Sequence, residues 1–278
     1  MDKFKLELFF QILGIGATSG LVLEKDSLFL ISDSSSFLYE YNLKSEKLDK
    51  IQLFQNSQEA IIKNDKPDFE SIAKIGDSVL LLGSGSTRKR MILSFYHTKT
   101  KKSTTTDMST MFEKISESTG IDKENLNIEG VVNYKNNWLL FQRGNGFASH
   151  NGVFILVGSI ENPNKIDFIP ISLPKENDVS ATFTDAVFVE NKIYFLAAAE
   201  DSHSTYHDGE ILGSWIGAIN PDNFELESVI KITTTHKFEG LTVYNNLKDE
   251  LTFLLCEDND SEVFNADIYK LTIKKTNR

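Results

Sequence analysis

Five short segments recur along the chain at nearly constant spacing, and that recurrence limits the fold more than any other feature. They are Thr18-Ser19-Gly20-Leu21-Val22, Phe69-Glu70-Ser71-Ile72-Ala73, Ile128-Glu129-Gly130-Val131-Val132, Thr184-Asp185-Ala186-Val187-Phe188 and Phe238-Glu239-Gly240-Leu241-Thr242. Each places a small polar or acidic residue before a small residue and an apolar pair. The steps from Ser19 to Glu70, Glu129, Asp185 and Glu239 are 51, 59, 56 and 54 residues. A turn follows each segment (Lys25-Asp26, Gly76-Asp77, Lys135-Asn136-Asn137, Glu190-Asn191 and the stretch 245–250). Short apolar runs at 27–31, 78–82, 138–141, 192–197 and 251–255 then read as second strands. Self-similarity at such a period signals a propeller or solenoid, and a four-stranded blade takes roughly 40–50 residues plus loops. An ordinary β-sandwich with frayed ends does not produce regular repeats. The expected fold is therefore all-β, one five-bladed β-propeller domain over residues 1–278.

The last repeat offers only three strands, near 239–244, 251–256 and 267–273. The run 4–13 before the first repeat reads as the missing fourth, and pairing it there closes the ring and hides an edge. One segment breaks the strand pattern. Met108, Met111, Phe112 and Ile115 have helical spacing, and Thr119-Gly120 is a stop, so a short helix is expected within 107–122.

In a propeller the innermost strand of each blade lines the channel, and the loop after the second strand returns to the same end. That geometry gathers Ser19, Glu70, Glu129, Asp185 and Glu239 near one mouth. Around them it sets loops 33–36, 83–90, 143–145, 200–210 and 257–262. Four carboxylates on one axis repel unless a cation, protonation or hydration relieves them. Calcium accepts six to eight oxygen ligands in flexible geometry, whereas magnesium demands a stricter octahedron and ranks second. Zinc has no His or Cys cluster matching the repeat. The competing reading is that the acids only open strands and accept backbone amides of the next blade.

These residues resemble the calcium-activated nucleotidase (apyrase) propellers, and the Glu-Gly-Leu strand starts are similar to phytase-like esterase and related bacterial propellers. The resemblance implies five blades and a central calcium held by one side chain per blade in the order Ser, Glu, Glu, Ser, Glu. It maps onto Ser19, Glu70, Glu129, Asp185 and Glu239, with Asp in place of the fourth Ser.

Loop 83–90, Gly83-Ser84-Gly85-Ser86-Thr87-Arg88-Lys89-Arg90, combines glycines, hydroxyls and three basic residues. It lacks P-loop spacing, and it reads either as an anion clamp working with Arg143 or as a solvated turn. His203 sits in the long loop 200–210, which is a surface loop or a lid supplying a general acid or base. The first functional expectation is a calcium-dependent hydrolase of a small phosphorylated substrate, with Glu129, Arg143, Arg88 and His203 as catalytic candidates. The second is a non-catalytic ligand- or partner-binding propeller with structural calcium. The third is glycoside hydrolysis by Glu129 with Glu239.

The net charge of −11 argues against nucleic acid, which needs a basic face, and leaves a small anionic ligand open where a cation inverts the field. No apolar stretch approaches the roughly 20 residues of a membrane span. The single cysteine, Cys256, ends an apolar run and reads as core. A monomer in the cytoplasm is expected, with a removed leader and a periplasmic location left open.

Overall fold

Among the described residues, five four-stranded antiparallel sheets account for the repeat. The computed structural model describes residues 4–144, 149–201, 209–258 and 264–275. Blade 1 comprises Thr18–Glu24, Ser27–Ser32, Phe37–Asn42 and Lys47–Gln52. Blade 2 comprises Phe69–Ile75, Ser78–Gly83, Ile92–His97 and Lys102–Asp107. Blade 3 runs through Ile128–Tyr134, Asn137–Gln142, Gly152–Gly158 and Pro163–Pro170. Blade 4 runs through Thr182–Val189, Lys192–Asp201, Glu210–Ile219 and Leu226–Thr233. Blade 5 takes Phe238–Asn246, Glu250–Glu257 and Asn265–Lys274, and Phe4–Leu13 is its outermost strand. The first strand of every blade packs against the first strands of both neighbours, and blade 5 meets blade 1, so the chain is a closed five-bladed β-propeller.

The closing strand pairs antiparallel from Phe4↔Ile273 to Leu13↔Asn265. A bulge between Leu8 and Phe10 reverses its faces. Phe4 and Leu6 pack toward blade 4, while Phe10 and Ile12 pack toward blade 1. One strand thus serves both interfaces of the last blade.

Among the described residues the hydrophobic core is divided into five clusters, and each lies between two adjacent blades. A lone blade is apolar on both faces and cannot bury either one, so the ring is the unit that folds. Large side chains such as Phe141, Phe183 and Phe195 are fully buried in this way, each contributing about 1.5–3 kcal/mol. Cys256 is buried in the cluster between blades 5 and 1, as expected of a packing residue.

The expected helix spans Ser109–Thr119 and ends at Gly120, whose φ of 74° suits glycine. Its buried face, Met111, Phe112 and Ile115, extends the cluster between blades 2 and 3. Among the described residues, no helix is long and apolar enough to cross a membrane.

Candidate functional site

Every innermost strand carries a bulge at the same place. The pairing with the second strand skips Ser19, Glu70, Glu129, Thr184 and Glu239. A bulged residue leaves the ladder and its side chain is re-aimed, which is how five blades turn one polar group each toward a common end. The fourth member is Thr184, one residue before Asp185, so the sequence alignment is corrected by one position in that blade. Ser19 and Thr184 behave alike. The Ser19 hydroxyl donates to the Phe69 carbonyl at 2.6 Å, and the Thr184 hydroxyl donates to the Phe238 carbonyl at 2.7 Å. Each ties its bulge to the next blade.

Asp185 instead accepts backbone N–H groups from Ala186 and, across the blade boundary, from Leu241, both at 2.7 Å. Burial pushes its carboxyl well above the usual range against the pull of those two amides. The strand-opening alternative, a carboxylate capping the neighbouring blade, describes this residue.

The acidic end holds its own cations. The Arg143 guanidinium lies 3.3 Å from Glu129, 2.7 Å from Glu200 and 3.9 Å from Glu239. Lys237 pairs with Glu239 at 2.9 Å and with Glu200 at 3.5 Å. On the blade 1–2 side, Lys66 pairs with Asp33 and with Asp68, the latter at 2.8 Å, and Arg90 reaches Asp68 at 2.8 Å. Asp33, Asp68, Glu70, Glu129, Glu200 and Glu239 thus face Lys66, Arg90, Arg143 and Lys237, an excess of two negative charges when all are ionised.

Glu70 stands between the two networks and, among the described residues, has no hydrogen-bond or ion-pair partner. Burial, and then the charges of Glu129, Asp68, Glu239 and Asp33, push its carboxyl well above the ordinary value. Burial also pushes Glu129 up to about 7, with Arg143 pulling it down and Glu239 adding to the rise. For Glu200 the burial cost is outweighed by Arg143 and Lys237, and its carboxyl lies below the usual range.

The oxygens of Asp33, Asp68 and Glu70 lie within 4.8 Å of one another. Oδ1 of Asp33 is buried with no hydrogen-bond partner, and so is Nε of Arg143. These three carboxylates are an all-oxygen group that could hold a metal ion, and Lys66 already pairs with two of them.

Asp68 was not legible as a site residue. It lies two residues before the bulge, and Asn127 and Lys237 occupy the same offset in blades 3 and 5. Asn127 donates to Glu129 at 2.8 Å. A polar residue two before the bulge was the available signal, spoiled in blade 1 by Ala17.

One catalytic candidate is placed apart from the others. Arg88 is 68% exposed and pairs with Asp107 at 2.9 Å, away from the acidic cluster. His203 lies outside the described residues. The glycines of loop 83–90 serve packing: Gly85 has φ +83°, and a Cβ there would overlap the Phe112 ring, while one at Gly83 would overlap the Arg90 carbonyl. The amides of Ser84 and Gly85 are taken by the carbonyls of Asp68 and Arg90.

Fold and mouth together define a five-bladed β-propeller with a buried, internally paired cluster of charges at one end of its axis. The chain belongs to DUF6929, a family of unknown function, over residues 14–273. No curated protein matches its sequence. It is similar in structure to the glutaminyl cyclase of Myxococcus xanthus, with a TM-score of 0.54 and 11% identity over 98% of this chain and 97% of that one. It is also similar to the major Malassezia sympodialis allergen Mala s 1, with a TM-score of 0.54 and 9% identity over 98% of this chain and 96% of that one. At these identities the likeness concerns the fold.

Proposed function

We propose that the acidic end is a divalent-cation site centred on Glu70, that the ion is calcium, and that the protein uses it to hold a small anionic ligand. The observation that carries this reading is the unpartnered Glu70 carboxylate, with oxygens of Asp33 and Asp68 within 4.8 Å of it. A divalent ion would offset the carboxylate repulsion that burial and Glu129, Asp68, Glu239 and Asp33 impose on Glu70. Glu70, Asp33 and Asp68 would hold it, replacing Glu129, Glu239 and Asp185 of the resemblance-based set. Ser19 stays beside them with its hydroxyl proton committed to Phe69. Magnesium is the second choice, because three carboxylates in a protein cage suit the larger ion.

A binding role is favoured over phosphoester hydrolysis because the four buried cations are already committed to carboxylates. Hydrolysis stands second. It is supported by Glu129, whose carboxyl near 7 is suited to proton transfer at neutral pH, and by the nucleotidase resemblance. The glycosidase reading has little support, since Glu129 and Glu239 share Arg143 and Trp215 is buried beneath Lys231.

Calorimetric titration of chelator-stripped protein with calcium chloride is the test. One ion per chain is expected, and Glu70→Gln abolishes the heat. No heat from the parent protein ends the calcium reading. Absence of turnover on nucleotides and phosphomonoesters, with calcium and with chelator, removes hydrolysis alone.

A further inference from the structure

We infer that the end of the channel opposite the acidic cluster is a binding site for a small, uncharged, largely apolar molecule. A cavity of about 440 Å³ lies there, within the roughly 300–1,000 Å³ of small-molecule sites. All five innermost strands line it. Its lining starts at Leu21, Ile72, Val131, Ala186 and Leu241, each two residues past the bulge and each buried. No bulge residue takes part, so the cavity ends at this ring and is separate from the charged cluster.

Beyond the ring the walls are Val22, Ala73, Val132, Val187 and Val243. Three polar side chains reach the cavity, and each is already used. Thr242 accepts the Leu23 amide at 3.0 Å, Lys74 pairs with Glu24 at 3.1 Å, and Asn133 donates to the Asn137 carbonyl at 3.4 Å. An ionic ligand finds no uncommitted charge there. Each innermost strand pairs on one side only, so its axial edge still offers a few N–H and C=O groups to a ligand. Apolar walls with a few hydrogen-bonding points make up the usual chemistry of a small-molecule pocket.

Phe188, 37% exposed, is the one aromatic side chain of the lining and stands near the entrance. From Ala186 to Val189 the wall runs three residues, a depth of about 10 Å. That admits a fused ring system or a short acyl chain and leaves no room to thread a polypeptide.

The probe is N-phenylnaphthylamine, an uncharged dye that brightens in apolar sites, titrated into the full chain. Saturable uptake of one dye per chain is expected. Val187→Asp, which places a charge in the wall, weakens it about tenfold or more. Asn133→Trp fills the entrance from an exposed position, does not disturb the core, and has the same effect. Leu13→Asp, at an exposed leucine of the closing strand, leaves uptake unchanged, as do chelator and Glu70→Gln. Uptake that does not saturate, or that Asn133→Trp leaves intact, overturns the inference. So does self-association that excludes the dye, read by light scattering.

Discussion

At the acidic end, the innermost strand of each blade carries a bulge, and Ser19, Glu70, Glu129, Thr184 and Glu239 leave the ladder there. Toward the far end the same strands run on in regular register in four of the five blades, and their side chains alternate between the two blade interfaces. One end is crowded with paired charges and the other is walled with valine and leucine. The comparison shows that a single extra residue per strand converts a packing position into a site position. It also shows that the converted end depends on groups from many elements, while the far end depends only on shape.

The largest test of that contrast is Arg143→Met. It leaves Glu129, Glu200 and Glu239 buried without their shared guanidinium and is expected to cost about 3–5 kcal/mol in urea unfolding. A loss no larger than a surface change would mean that pairing does not hold the acidic end. Next comes calcium. At a hundredfold excess over Kd it should stabilise the parent by about 2.7 kcal/mol, and Glu70→Gln should remove that gain. In chelator the same variant should be at least as stable as the parent, because the amide is neutral where burial and neighbouring carboxylates disfavour a charge.

Asp185→Asn and Thr184→Val separate the two neighbours. The amide has one oxygen for two backbone donors, so about 1–3 kcal/mol should be lost with calcium uptake unchanged. Thr184→Val removes one hydroxyl donor to the next blade and should cost about 1 kcal/mol.

The pH dependence has a definite sign. The folded Glu129 carboxyl keeps its proton up to about 7, whereas the unfolded chain releases it near 4.5. Between those values the native state binds more protons, so raising the pH through this window destabilises the chelator-treated protein. Glu129 alone contributes about 1 kcal/mol per pH unit, and Glu70 and Asp185, raised in the same direction, add to it, read from denaturant midpoints across a pH series. Calcium at the neighbouring carboxylates should flatten the slope. The smallest effect is reserved for the far end, where Asn133→Ala, exposed and weakly bonded, should change stability by no more than about 0.5 kcal/mol.

Much of the fold was legible because it is written as repetition. Phe4–Leu13 closes blade 5 with the bounds expected for the strand missing from the last repeat, and the helix falls at Ser109–Thr119 within the expected window. The alternation of Phe4, Leu6, Phe10 and Ile12 looks uninterrupted, so the bulge that turns the last two toward the other blade left no trace in it. The alignment of the fourth repeat slipped because two polar residues, Thr184 and Asp185, stand together. Phe183, matching Phe69 and Phe238, marks the true register and restores steps of 55 residues on either side. Arg88 looked as available as Arg143, since nothing local distinguishes a guanidinium that turns outward to Asp107 from one enclosed by three glutamates.

By itself the sequence determined the class of fold, the number of blades, the order in which they close and the end of the axis where polar groups gather. These follow from local pattern and period, which act between residues close in the chain. Only the tertiary structure decided which carboxylates are neutralised and which one is left over. Lys66, Arg90, Arg143 and Lys237 reach their partners from different loops and blades. Charge pairing in a buried site is fixed by distances of a few ångströms across the ring, and no spacing along one chain encodes those distances.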